Sequence, residues 1–183
     1  RLVTGGAPVP NWLIKKIKCV FPNASGFVVY GSTEAEPISF SSFEDVLSAS
    51  PKGYLVGRPI EDIRLKIVAP LPDQNQTPQK LEPLPIEVTG EVILTGSHVV
   101  KKYLFENEDN FRTKITDLAG EVWHRTGDTG FFDTKGRLWL VGRLTYRLNK
   151  SIDVYPTEHD LENILESRVS LVQTKDHRIL CFT

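Results

Sequence analysis

Gly26-Phe27-Val28-Val29-Tyr30-Gly31-Ser32-Thr33-Glu34 begins as a buried strand and breaks at a glycine into two hydroxyls and a carboxylate. Upstream, Leu2, Val3 and Thr4 read as a short strand that runs into Gly5-Gly6-Ala7-Pro8, a turn whose glycines allow close backbone approach. Between the two strands, Leu13, Ile14, Ile17 and Val20 recur at helical spacing, with Pro10 at the start, where a missing N–H is tolerated. Pro22 and Asn23 end that helix. Strand, helix, strand is the unit of a parallel sheet, and ligands gather at the carboxyl ends of such strands. Residues 30–34 occupy such an end.

After Pro59 the pattern changes. Ile63-Arg64-Leu65-Lys66-Ile67-Val68 alternates as a half-buried strand does, and Gly90-Glu91-Val92-Ile93-Leu94 forms another. The Pro- and Gln-rich stretch 71–85 between them reads as an exposed loop. Residues 123–125, 131–132 and 138–141 read as strands separated by Gly127-Asp128 and by residues 133–136, so this half is antiparallel β. Leu161, Ile164 and Leu165 mark a short helix over 156–167, opened by Thr157 with Asp160 as an acidic capping box. Residues 169–172 and 179–182 predict a last strand pair around Lys175 and Asp176.

With 40% hydrophobic and 25% charged residues, the chain has the composition of a soluble globular protein. A net charge of −1 gives no electrostatic case for nucleic acid or an anionic membrane. The longest apolar runs, such as 26–30 and 92–94, are strand-length and predict no membrane span. Arg1 leads straight into patterned sequence rather than a signal peptide, so the expected location is cytoplasmic, with Cys19 and Cys181 as reduced thiols and the sequons at Asn23, Asn75 and Asn149 without consequence. The chain has no Met and starts and stops in patterned sequence, and it reads as a segment of a longer protein.

Tyr30-Gly31-Ser32-Thr33-Glu34 puts an aromatic face, a glycine, two hydroxyls and a carboxylate within five residues. An aromatic can stack on a base, N–H and hydroxyl groups can hold phosphate oxygens, and a carboxylate can hold Mg²⁺ bridging them. The structural alternative is a strand leading into a helix, with Thr33 as N-cap and Glu34 in the first turn. The second cluster is Trp123-His124-Arg125-Thr126-Gly127-Asp128-Thr129-Gly130, followed by Asp133-Thr134-Lys135-Gly136 and by Gly142-Arg143. Taken alone, its Asp128 is an ordinary turn residue.

Together these runs resemble the adenylate-forming superfamily of acyl-CoA synthetases, luciferases and peptide-synthetase adenylation domains. That family shows Tyr-Gly-x-Thr-Glu, then Tyr-x-Thr-Gly-Asp, then Asp-x-x-Gly-x-x-x-x-x-Gly-Arg. Order, spacing and intervening strands agree over nearly the whole chain, including Gly57-Arg58-Pro59 and Gly90-Glu91-Val92. The resemblance implies an ATP- and Mg²⁺-dependent ligase that activates a small carboxylic acid as its acyl-AMP, with CoA a candidate acceptor. It implies an α/β start (residues 1–58), an antiparallel β-barrel-like subdomain (59–143) and the hinge and beginning of an α+β lid (144–183). Gly5, Gly6 and Ala7 would line the adenine and acyl pocket, and Tyr30 would stack on adenine. Gly31 and Ser32 would belong to the nucleotide-binding turn, Thr33 would bind the α-phosphate, and Glu34 would hold Mg²⁺. Asp128 would accept both ribose hydroxyls and Arg143 would reach ribose or phosphate. Thr33 and Glu34 are the residues closest to the chemistry on this reading.

Within the superfamily the chain looks closest to the fatty-acyl ligases and the β-lactone synthetases of olefin biosynthesis, where His-Arg stands in the place of Tyr146-Arg147. It departs from the family pattern at Trp123 or His124 in the second motif, Lys102 before Tyr103, Thr145 in the hinge, and Asn149-Lys150-Ser151-Ile152 in the segment after it. The family's phosphate loop and lid lysine lie beyond this segment, so the isolated chain is expected to be inactive. Two other readings are a non-catalytic remnant that binds nucleotide weakly and an all-β interaction module. Intact Thr33, Glu34, Asp128 and Arg143 speak against both.

Overall fold

The computed structural model describes residues 1–50, 52–72, 77–104, 108–145, 153–175 and 178–183. The sequons at Asn75 and Asn149, Tyr146 and Arg147, the departures at 149–152 and the turn residue Asp176 lie outside them.

In chain order the elements are β1 (Leu2–Thr4), α1 (Asn11–Val20), β2 (Gly26–Ser32), β3 (Ala35–Ser42), α2 (Phe43–Ser48), β4 (Tyr54–Pro59), β5 (Ile63–Val68), β6 (Gly90–Gly96), α3 (Glu108–Thr113), β7 (Lys114–Thr116), β8 (Val122–Phe132), β9 (Leu138–Arg143), α4 (Val154–Leu165), β10 (Ser170–Gln173) and β11 (Ile179–Phe182). β1 and β2 pair in parallel across α1, as strand–helix–strand requires. Every other pairing of named strands in the sheet is antiparallel. The strands run β1-β2-β3-β4-β9-β8-β6-β5, with β7 paired to β8. The expected antiparallel half is present, but among the described residues it stays an open sheet continuous with the α/β start and does not close into a barrel.

β4 and β9 are covered on both faces. Leu55, Trp139 and Val141 meet Ile14 of α1 together with Phe43 and Val46 of α2. On the other side Val56, Leu138 and Leu140 meet Tyr30, Ile38, Val92 and Leu94. Two-sided burial makes this the rigid centre from which the site is hung.

Two local expectations are corrected. Thr33 and Glu34 do not open a helix: they turn β2 into the hairpin partner β3, with Tyr30 opposite Ser39 and Ser32 opposite Ala35. Buried Ser39 satisfies its hydroxyl on the Val56 carbonyl at 2.8 Å, so a serine-rich segment can serve as an inner strand. Thr157 does not cap α4, whose N-cap is Asp153. The last strand pair, β10 with β11, is antiparallel as expected. Cys19 and Cys181 are free and exposed. Among the described residues no helix is long and apolar enough to cross a membrane.

Candidate functional site

The carboxyl end of β2 and the middle of β8 face each other across a cavity of about 250 Å³. Gly6, Ala7, Tyr30, Gly31, Asp128 and Arg143 all line it, on an apolar floor of Val28, Leu55, Val56 and Leu140. Gly5 stands behind this wall, where an added Cβ would come within 2.5 Å of the Val29 carbonyl oxygen, so the turn after β1 closes on β2 only without a side chain.

Three side chains form the polar end of the cavity. The Tyr30 hydroxyl donates to Asp128 Oδ2 at 2.6 Å, and Arg143 Nη1 donates to Asp128 Oδ1 at 2.6 Å. β8 and β9 set this pair directly, because Asp128 and Arg143 are partners in register. The Asp128 backbone N–H is held in turn by Thr126 Oγ1 at 3.0 Å. Burial, then the charge of Asp128, pushes the Tyr30 phenol well above its ordinary range, so it stays a neutral donor. Burial pulls the Arg143 guanidinium down, but Asp128 outweighs it and the net shift is upward. A carboxylate with two oxygens retains lone pairs for further donors after one bond at each.

Thr33 and Glu34 do not line the cavity; they lie just past Gly31 in the β2–β3 turn, Thr33 exposed and Glu34 half-buried. Ser32 is also outside the lining. The turn is fixed by the Val100 N–H, which donates to the Glu34 carbonyl at 2.8 Å. The Tyr103 hydroxyl donates to Glu34 Oε1 at 2.7 Å. Burial pushes the Glu34 carboxyl up, but the Tyr103 hydroxyl and its own backbone N–H outweigh it and hold it below the usual range. Behind Tyr103, Lys114 donates to the Val100 carbonyl at 2.6 Å, lies 3.0 Å from His124 Nδ1 and stands 4.9 Å from the Tyr103 ring centroid. Burial lowers Lys114 to about 8, with Glu34 opposing. Burial, then Lys114, takes His124 to about 4, so the imidazole is neutral at pH 7.

The sequence reading missed Tyr54 and Tyr155, which also line the cavity, and Tyr103 and Lys114 behind Glu34. His124 stood out only as a departure from the motif. Tyr54 and Tyr155 carry no motif signal, and they meet only through folding. Among the described residues no group of three or more His, Cys, Asp or Glu could hold a metal ion. One carboxylate is compatible with Mg²⁺ carried on substrate phosphates, because that ion keeps waters and takes one or two protein carboxylates.

The family model described as AMP-binding enzyme matches residues 1–104. An olefin beta-lactone synthetase of Xanthomonas campestris pv. campestris is 30% identical over 173 residues, covering 86% of this chain and 30% of that protein. A 4-coumarate--CoA ligase 1 of Glycine max is 28% identical over 173 residues, covering 92% of this chain and 54% of that one. The chain thus spans about half or less of these relatives. Among solved structures, the O-succinylbenzoate coenzyme A synthetase of Bacillus subtilis, in complex with ATP and magnesium ion, superposes with a TM-score of 0.67 at 24% identity, covering 99% of this chain and 35% of that one.

Proposed function

The chain belongs to the AMP-binding enzyme family, and from that membership we propose that the full-length enzyme, a polypeptide of its relatives' length carrying this segment, activates a carboxylic acid with ATP. A carboxylate oxygen attacks the α-phosphorus, the bond to the bridging oxygen breaks, and acyl-AMP and pyrophosphate result. The observation that carries the reading is the Tyr30–Asp128–Arg143 triad at the polar end of the cavity between β2 and β8.

Asp128 accepts the ribose hydroxyls, and Tyr30 gives adenine an aromatic face while its hydroxyl fixes the carboxylate. Gly6 and Ala7 form the opposite wall, with Gly5 letting that wall close and Gly31 leaving room for the nucleotide backbone. Arg143, half-exposed beside Asp128, reaches ribose or phosphate. The cavity lies just under the roughly 300–1,000 Å³ of drug-sized sites, so it takes the nucleoside and leaves the phosphates to pass Ser32 toward Thr33 and Glu34. There Thr33 donates to the α-phosphate and Glu34 is the Mg²⁺ ligand. Bound Mg²⁺ neutralises charge on the phosphate oxygens. The chain's own contribution is positioning and fixed dipoles rather than covalent chemistry.

Fatty acids are the proposed acid class, on the sequence resemblance to the fatty-acyl ligase branch. The division at 58/59 and 143/144 into two subdomains and a lid remains part of this proposal. ATP–pyrophosphate exchange by the full-length enzyme tests it, over a panel of fatty and aromatic acids. Acid-dependent exchange, greatest with fatty acids, is expected. No exchange with any acid overturns the function, and exchange only with aromatic acids overturns the substrate class. The names of the two relatives point to different fates for the activated acid, one a β-lactone and the other a CoA ester, and adding CoA to the same reaction separates them.

A further inference from the structure

We propose that Glu162 and Tyr54 form a buried latch that docks α4 on the cavity, so that Tyr155 closes its open side, with both latch residues acting as positioning residues. The inference rests on reading the cavity as the nucleotide site.

Glu162 is 1% exposed and Tyr54 4%, and they are 108 residues apart. The Tyr54 hydroxyl donates to Glu162 Oε2 at 2.6 Å. The other oxygen, Oε1, accepts the Val169 N–H at 3.1 Å and lies 3.3 Å from Arg168 Nη1. A carboxylate so far from water persists only where its oxygens are occupied. Both of these are: one ties down the end of α4 itself, the other reaches β4 of the main sheet.

Tyr54 is also a wall of the cavity, as is Tyr155, about two helical turns along α4 from Glu162. The two rings meet edge to face at 5.4 Å, and His159 meets Tyr54 from the same helix at 5.3 Å. The surrounding tethers converge on the same wall. Arg168 donates to the carbonyl of Pro8, a lining residue, at 2.6 Å, and the Trp12 N–H donates to Asn163 Oδ1 at 3.1 Å. These two lie at the rim, whereas the Tyr54–Glu162 bond is the one fully removed from water. Tyr155 and Asp128 line the same cavity, and burial, then the charge of Asp128, raises the Tyr155 phenol to about 12. Undocking α4 therefore opens the cavity beside Asp128 and Arg143, and docking it brings a neutral donor to that rim.

The test is hydrogen exchange on the full-length enzyme, wild type and Tyr54→Phe, with and without ATP·Mg²⁺, while displacement of a fluorescent ATP analogue records nucleotide binding on the same samples. Losing a hydrogen bond to a buried carboxylate is expected to speed exchange across α4 and around Trp12 about tenfold or more without nucleotide. Exchange in β5 and β6, which the latch does not touch, stays at wild-type rates. ATP is expected to slow α4 in the wild type. Unchanged α4 exchange in Tyr54→Phe overturns the latch, and so does bound ATP that leaves α4 exchange unchanged. If exchange rises throughout the protein, Glu162→Gln decides: it keeps an acceptor for Tyr54, and slower α4 exchange than in Tyr54→Phe supports the latch, while equal rates overturn it. Failure of the wild type to bind ATP overturns the nucleotide-site reading instead, and the nucleotide-free arm registers no such failure.

Discussion

Tyr30 and Asp128 stand 98 residues apart and are joined by a 2.6 Å hydrogen bond, with Arg143 on the other carboxylate oxygen. The carboxylate is thus oriented before any ligand arrives. Assigned to ribose, it is remote from the reacting phosphorus, and its contribution is uniform binding. Asp128→Asn in the full-length enzyme should raise KM for ATP by an amount worth about 1.5–3 kcal/mol while kcat changes little. Initial-rate kinetics of pyrophosphate exchange check it, and a fall in kcat at unchanged KM would contradict the ribose assignment.

Glu34 and Tyr103 make a second pair to test. Glu34→Gln keeps size but removes charge, and hard oxygen ligands draw their Mg²⁺ affinity from charge. Activity should fall by orders of magnitude and recover in part with added Mg²⁺. Tyr103→Phe leaves the charge and frees the Oε1 oxygen, so the Mg²⁺ requirement should rise less, by about tenfold, as for one lost hydrogen bond. Titrating Mg²⁺ against acyl-AMP formation separates these from a structural role. Normal activity at normal Mg²⁺ in Glu34→Gln, whatever the melting temperature, would remove Glu34 from the metal.

The parts legible in the sequence are those where pattern and chemistry coincide locally. Strand, helix and strand over residues 2–30 announced a parallel pair because α1 carries its apolar stripe in plain helical spacing. The Asp128–Arg143 pairing was implicit in two motifs but became a contact only through the β8–β9 register. β3 was hidden because its inward residues include Ser39 and Ser41, polar side chains that break the apolar alternation. β8 was read as two strands because Gly127-Asp128 looks like a turn; Gly127 does adopt a φ of 75°, yet the strand runs on through it. Tyr54, Tyr103 and Tyr155 were illegible for a different reason. Their partners lie far away in sequence, and a lone tyrosine in a strand or helix has no local signature of what it will touch.

Asp133 gives a pH prediction. It holds the β8–β9 turn by accepting from the Lys135 and Arg137 N–H groups at 2.9 Å each, from Trp139 Nε1 at 3.0 Å and from Arg137 Nε at 2.8 Å. Burial pushes its carboxyl up, but Trp139 and Arg137 outweigh it and bring it to about 2, from an ordinary 3.8. The folded value is the lower one, so the stabilisation is fully present above about pH 4 and is lost as pH falls through about 2. The wild type should lose on the order of 2 kcal/mol more across that window than Asp133→Asn does. Urea unfolding at a series of pH values checks it, and parallel slopes for the two proteins would refute it.

The largest stability effect is expected at Glu91 and Arg125. Glu91 is fully buried and Arg125 is 5% exposed, and their side chains meet at 2.5 and 3.0 Å. Arg125 also donates to the carbonyls of Leu71, Pro72 and Arg112, and Glu91 accepts the Leu71 N–H at 3.0 Å. The pair therefore pins the loop after β5 and the end of α3 to the sheet. Arg125→Met leaves a buried carboxylate without its cation and takes the guanidinium from three carbonyls, at a cost of about 3–5 kcal/mol. Adding Glu91→Leu removes the stranded charge, and in a simple buried pair that would restore most of the loss. Here the carbonyls of Leu71, Pro72 and Arg112 still lack the guanidinium, at roughly 1–3 kcal/mol for the half-buried Leu71 carbonyl where water does not reach it. The double variant should thus be more stable than Arg125→Met alone yet clearly below wild type. The exposed Arg64–Glu121 pair is the contrast, and Arg64→Ala should cost under about 1 kcal/mol. Urea midpoints of the four proteins decide it. A double variant as stable as wild type would show that the charges, not the carbonyls, make Arg125 hard to replace.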